Sequence, residues 1–386
     1  MVQKKKVILH NQNRKPDNIL RKELEIRKQC EDLEKELPRF MNGFFAYLRV
    51  NVLPMTRLAY LRDILFFCNY LINETDLVSG KSPKDLREAD FDKIEGVDVN
   101  LFLDYCRSYK IEKGNSIHIY ENDLRSLSRK KSSLSVLFKH LYREGYVSRN
   151  ITDGFNPIRV PKPGEREIKT LQDDEVMKML DAVVTGEHLT TKEKEYWKKT
   201  KYRDKAILLL FLTYGLRISE LQQLNVSSFH FGRDEFTIYR KRGKESVMPL
   251  NQTVRKAVLE YIELERPDDD TLETEHKDAL FLSLQKKRMT ERQIREMVKK
   301  YTSIGLETTR SSGYSPHKLR ATAATSLIGR GNSIYDVQEL LDHDNVTTTQ
   351  LYAAHRKNAR RDLIRNFEWG EDMLDPDNRK NQRDNE

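Results

Sequence analysis

Between Pro38 and Gly145 the apolar residues recur every three or four positions, the spacing that gives a helix one buried face. Residues 38–50, PRFMNGFFAYLRV, predict a first helix. Thr56 stands where an N-cap would open a second, whose stripe is Leu58, Leu61, Leu65, Cys68 and Ile72. Residues 99–109 predict a third. A fourth, over about 121–144, carries Leu124, Leu127, Leu134, Leu137, Phe138 and Leu141 on one side, and Gly145 stops it. Ahead of this bundle, residues 18–36 are dense in charged helix formers and predict a solvated surface helix. Residues 1–17 are basic, polar and aperiodic, and read as a mobile arm.

The pattern breaks at 156–168, NPIRVPKPGEREI, where three prolines and a glycine oppose helix and mark an interdomain linker. Beyond it, Thr170 is a candidate N-cap for a helix over 173–184. The charged stretch 186–205 reads as a surface excursion, with a DNA or protomer contact as its functional alternative. Residues 206–212, AILLLFL, predict a buried helix that ends at Gly215, with Arg217 opening the next short one. Residues 235–240 and 245–250 are β-rich and flank Lys241, Arg242, Gly243 and Lys244, which predicts a hairpin. Helices follow over 251–265 and 290–301, with an acidic loop between them and a short buried segment at 278–283. Residues 302–315 read as a polar connection. A helix opening at His317 is made narrow by Ala321, Ala323 and Ala324, Tyr352 falls on or near a short helix, and residues 353–369 form a last one. The expected fold is mainly α with a small antiparallel β-sheet. Its parts are a charged extension (1–36), a helical domain (37–155), the linker, an α+β domain (169–370) and a polar tail (371–386).

A chain of 386 residues exceeds one ordinary core, so two domains are expected. The net charge of +9 suits a polyanionic partner, although a solvated basic surface would give the same number. Within the fourth helix Arg125, Arg129, Lys130, Lys131 and Lys139 are interspersed with the apolar stripe, so that helix could track phosphates. The three cysteines, Cys30, Cys68 and Cys106, form no C-x-x-C pair, which points away from a disulfide framework or zinc knuckle and toward a reducing cytoplasm. No apolar run has the length of a bilayer span, and no signal peptide is expected at MVQKKK. Asp268, Asp269 and Asp270 lack supporting ligands and read as a solvated loop. Gly-Lys-Ser at 80–82 lacks the first glycine of a phosphate loop.

His-x-x-Arg occurs three times, at His140/Arg143, His230/Arg233 and His317/Arg320, and alone means nothing. Only the third is preceded by a Gly-Leu-Arg helix start and a basic hairpin, and followed by Leu341-Asp342-His343 and then Tyr352. In that order the chain holds what metal-free phosphodiester transesterification needs. Arginine forks match phosphate oxygens. A tyrosine can be the covalent nucleophile. A lysine or histidine can protonate the leaving oxygen.

This ordered set resembles the catalytic domain of the tyrosine recombinases, the phage-type integrases and Xer-like enzymes. The resemblance runs from about residue 169 to about 369, with a weaker echo over 37–154. It implies that Arg217, Lys241, His317, Arg320 and His343 surround a scissile DNA phosphate and that Tyr352 attacks it. Glu220 matches an acidic supporting position, and Lys244 a second basic one. The resemblance further implies a core-binding helical domain, a C-terminal helix that docks on a neighbour, and a homotetramer on two double-stranded DNA sites with inverted repeats. No cofactor, metal or ATP is implied. Two rivals share much of this pattern: a type IB topoisomerase and a catalytically silent DNA-binding regulator. The basic arm and the 186–205 stretch favour a mobile element over resolution of chromosome dimers. One departure is local: the family usually has Leu-Gly-His where this chain has Leu341-Asp342-His343, and glycine suits a positive φ better than aspartate does.

Overall fold

The computed structural model describes residues 15–78, 82–161, 169–240 and 243–342. Expectations for residues 1–14, for most of the linker, for Lys241 and for everything from His343 onward, Tyr352 included, lie outside the described residues. The chain divides into two compact units, Met1–Pro161 and Lys162–Glu386. Among the described residues no helix is long and apolar enough to cross a membrane.

The first unit is built from α1 (Asp17–Glu36), α2 (Asn42–Asn51), α3 (Pro54–Glu74), α4 (Glu88–Asp92), α5 (Gly96–Tyr105), a hairpin of β1 (Ser108–Lys113) and β2 (Ser116–Glu121), and α6 (Leu124–Arg143). Phe44, Phe67, Phe102, Leu134 and Phe138 fill its core. Four expectations change here. Helix α1 packs on α3 and buries Cys30 completely, since Ile26, Cys30 and Leu33 share the face turned to the core, while Glu34 pairs with Arg57 of α3 and Arg49 of α2. Helix α3 starts at Pro54, not at a Thr56 cap: proline fits the first helical position, where its missing N–H costs nothing. The third helix stops at Tyr105, and Tyr109 instead pairs with Tyr120 in a hairpin turning at Gly114, φ +57°. Helix α6 therefore begins later than expected, at Leu124, with the Asp123 carboxylate accepting from Ser126 N at 2.8 Å.

Of the five basic residues expected to face DNA from α6, Arg125, Arg129 and Lys139 are exposed. Lys130 is buried: its ammonium reaches Asp63 at 3.3 Å and lies over the Phe66 ring. Arg129 also pairs with Asp63, and Lys131 donates to the Asn156 carbonyl at 2.8 Å. Asp63 is itself buried, so a Lys130 that turned to a phosphate would leave a carboxylate short of a partner in the core. Lys130 therefore holds the bundle together and is withdrawn as a DNA contact.

The second unit contains α7 (Asp173–Thr185), α8 (Thr191–Trp197), α9 (Lys201–Tyr214), α10 (Ile218–Gln222), β3 (Phe229–His230), β4 (Glu235–Tyr239), β5 (Glu245–Pro249), α11 (Gln252–Leu264), α12 (Glu291–Gly305), α13 (Pro316–Gly329) and α14 (Ile334–Leu341). Helix α9 is the central post, packed against α7, α11 and α13. The three strands form one antiparallel sheet in the order β3-β4-β5, with Thr237 opposite Val247. The architecture is thus mainly helical with small antiparallel sheets. Helix α7 is capped from Gln172, whose N–H donates to Glu175 at 2.7 Å, and not from Thr170. Residues 186–205 lie largely on the surface, with no residue of α8 buried, but they are anchored to the domain. Trp197 donates to the Val183 carbonyl, Arg203 and Asp204 are buried, and Glu193 takes a two-pronged bond from Arg310 at 2.9 and 3.0 Å.

Candidate active site

The C-terminal end of α14 organises the site. The last carbonyls of any helix have no partner within it and carry its negative pole. Here three guanidiniums from three different elements supply the missing donors. Arg240, just past β4, donates to the Leu340 carbonyl at 2.8 Å. Arg320, on α13, donates to Leu341 at 2.5 Å and to Gly215 at 2.6 Å. Arg217, at the head of α10, donates to Asp342 at 2.9 Å. One helix end thereby gathers the Gly-Leu-Arg turn, the basic hairpin and the His-x-x-Arg helix.

Each arginine is placed by local sequence. Helix α9 ends at Gly215, φ +57°, where an added Cβ would stand 2.6 Å from a Leu341 methyl and 3.5 Å from Arg320 Cγ. Only glycine lets α9 close against both α13 and α14. Arg217 follows at the N-cap of α10, and buried Glu220 accepts its backbone N–H at 2.8 Å and its Nη1 at 2.7 Å. That fork fixes the guanidinium while its side chain stays one-third exposed. An arginine has five N–H donors, so an anion in the opening can still be served. Arg320 lies one turn after His317 on α13. Pro316 occupies the first turn, His317 is exposed at the helix mouth and Arg320 is buried, so the pair spans the site from rim to floor. Backbone N–H groups at that helix start favour an anion as well.

The hairpin comes next. Strands β4 and β5 pair in register up to Tyr239 opposite Glu245, and Arg240 N donates to the Lys244 carbonyl at 2.8 Å. Lys244 extends from the turn, and its ammonium meets Asp342 Oδ1 at 3.0 Å. Asp342 itself has φ +51°. The conformation a glycine would adopt is therefore retained, with a carboxylate added. That carboxyl is held below its usual range: burial raises it, but the Lys244 bond and the charges of Arg240, Lys244 and Arg217 outweigh burial.

The structure thus brings together Arg217, Glu220, Lys244, Arg320 and the exposed His317. Lys241, His343 and Tyr352 lie outside the described residues, although Lys241 directly follows Arg240 and His343 directly follows Asp342. The sequence reading missed Arg240. Its signal was the two-residue period of β4, which puts Phe236, Ile238 and Arg240 on the buried side, but an arginine in that phase reads as a turn residue. Away from this site Glu273, Glu275 and His276 gather their ligand atoms within 4.8 Å, in the loop read as solvated; both glutamates are exposed.

The model of the phage integrase family matches residues 169–359. The tyrosine recombinase XerC of Caldanaerobacter subterraneus is 33% identical over 322 residues, 82% of each chain. The tyrosine recombinase XerD of Staphylococcus epidermidis is 28% identical, over 74% of this chain and 88% of its own. Two solved structures share the fold. XerH bound to its difH substrate aligns with a TM-score of 0.56 and 17% identity, over 88% of this chain and 93% of its own. The Tn1549 transposon integrase in complex with circular intermediate DNA gives 0.52 and 19%, over 83% and 98%. The three-arginine helix end and these relatives agree, and the chain belongs to the phage integrase family of tyrosine recombinases.

Proposed function

We propose that the chain is a site-specific DNA recombinase that cuts and rejoins DNA through a covalent link to Tyr352. The convergence of Arg217, Arg240 and Arg320 on the end of α14 carries this reading, because it assembles fixed positive charge at one place, with Arg217 one-third exposed. Arg217 would neutralise the phosphate from the lip and Arg320 from the floor. Tyrosine ordinarily ionises near pH 10. Guanidiniums beside it would favour the phenolate and the charge that builds on phosphorus. Donors aimed at such charge are worth about 10²–10³ in rate each.

In the forward step the Tyr352 oxygen bonds to phosphorus and the bond from phosphorus to the 5′-oxygen breaks. Lys241 gives that oxygen its proton. His317 and His343 either hydrogen-bond the phosphate or carry the tyrosine proton. The 3′-phosphotyrosyl link retains the bond energy, so rejoining is the same exchange in reverse and uses no ATP. The first unit would clamp the far side of the duplex, Arg125 and Lys139 offering exposed charge to its backbone. A homotetramer on two inverted-repeat sites, in the cytoplasm, serving a mobile element, completes the proposal.

Strand exchange tests it. Two differently marked duplexes carrying the inverted repeats that flank the gene should yield a hybrid product when mixed with the protein. Relaxation of a supercoiled plasmid without exchange would instead assign topoisomerase activity, and binding without either would assign a silent regulator.

A further inference from the structure

The cluster of cations at the end of α14 contains an anion of its own. Asp342 Oδ1 lies 3.0 Å from Lys244 Nζ, and Oδ2 lies 4.0 Å from Arg217 Nη1. The backbone of Asp342 already does what any residue would do there: its carbonyl receives Arg217 and its φ ends the helix. Glycine would do both without the steric cost of a Cβ at positive φ. The carboxylate is therefore an addition, and it faces the cations that the proposed chemistry reserves for DNA.

We propose that Asp342 is an internal counter-anion: its carboxylate neutralises Lys244 in the DNA-free chain, and a backbone phosphate of the duplex takes Lys244 from it on binding. The inference rests on reading this cation cluster as the phosphate site. The ion pair suits such an exchange. The Lys244 side chain is 66% exposed, so the pair is screened by solvent and weak. Arg217 and Arg240 are fixed by the end of α14, while Lys244 reaches in from the turn on four rotatable carbons and is free to swing between two oxygens. The exchange also sets a threshold. When a phosphate takes Lys244, the cation released from the DNA is offset by one drawn to the freed Asp342 carboxylate, so this contact gives little net ion release and adds little to loose attraction for any polyanion.

That consequence is measurable on a short linear duplex of arbitrary sequence, by following log Kd against log salt. Asp342→Asn and Asp342→Gly both tolerate positive φ. Each leaves no carboxylate to recover a cation when Lys244 meets a phosphate, so the slope should steepen by up to about 0.9, one phosphate contact, giving up to about eightfold tighter binding near 0.1 M salt. Adding Lys244→Gln to Asp342→Asn should return the slope to that of the unaltered protein. Glu245→Gln, which removes a charge from the same hairpin but not from Lys244, should leave it unchanged. The proposal is overturned if both Asp342 variants keep the original slope, if the steepening survives Lys244→Gln, or if Glu245→Gln steepens it equally. An unaltered protein that forms the tyrosyl adduct while the slopes fail to move would sink this inference alone; absence of the adduct would sink the site reading beneath it.

Discussion

Replacing Arg320 with methionine separates the structural work of that guanidinium from its chemistry. Methionine keeps the unbranched stem that lies 3.5 Å from the Gly215 Cβ position, so little cavity is opened. What is lost is the bond to Gly215 and the bond to Leu341, both from a charged donor. Such bonds are worth about 1.5–3 kcal/mol each. The Leu341 carbonyl, at a helix end, regains some hydration, so a net loss of about 3 kcal/mol is expected. With a urea dependence of about 2–3 kcal/mol per molar, the unfolding midpoint should fall by about 1–1.5 M. Tryptophan fluorescence reads it through Trp197, which packs against the core of the second unit. Arg217→Met, at a one-third exposed side chain, should shift the midpoint less while abolishing adduct formation just as fully. A midpoint for Arg320→Met within about 0.3 M of the unaltered protein, under 1 kcal/mol, would refute the claim that Arg320 braces the end of α14.

Other outcomes follow from the same geometry. Lys130→Met should cost about 2 kcal/mol, seen as faster hydrogen exchange in α3 and α6, and should leave the salt slope of DNA binding unchanged. Arg125→Gln and Lys139→Gln should do the opposite, each flattening the slope by about 0.9 with no loss of stability. Burial opposes ionisation of Glu193, but the Arg310 fork and the Thr190 N–H overcome it and bring its pKa down to about 2. A lowered carboxylate stabilises the fold above its unfolded pKa and loses that contribution as pH falls toward the folded one. Glu193→Gln should therefore cost on the order of 2–3 kcal/mol at pH 7, and the gap to the unaltered protein should close between about pH 4.5 and 2. Urea titrations at neutral and acid pH check this; a gap that persists at low pH would contradict it.

Much of the site was legible because its members obey short-range rules. A glycine had to end α9, Pro316 and His317 had to open a helix, and the hairpin register followed from the strand pattern. The positive φ at Asp342 was legible too, from its place at a helix end. What stayed hidden depended on partners distant in sequence. Nothing local distinguishes Lys130 from Arg125, yet one meets Asp63 and the other meets water. Residues 186–205 looked solvated because Arg310, which pairs with Glu193, lies more than a hundred residues later. Arg240 was obscured by its neighbours, since a basic run reads as a turn until the carbonyl of Leu340 is placed beside it. The β1–β2 hairpin was masked differently: the helical spacing up to Tyr105 was extended across Tyr109, although Ser-Ile-His-Ile-Tyr beyond Gly114 alternates as a strand does.

The most direct measurement is covalent capture. A duplex nicked beside the cleavage position, incubated with the protein in EDTA, should yield a protein–DNA adduct that survives denaturation and maps to Tyr352. Tyr352→Phe should bind the same duplex and give none. An adduct that persists in the phenylalanine variant, or one that forms only when a divalent ion is restored, would contradict the account.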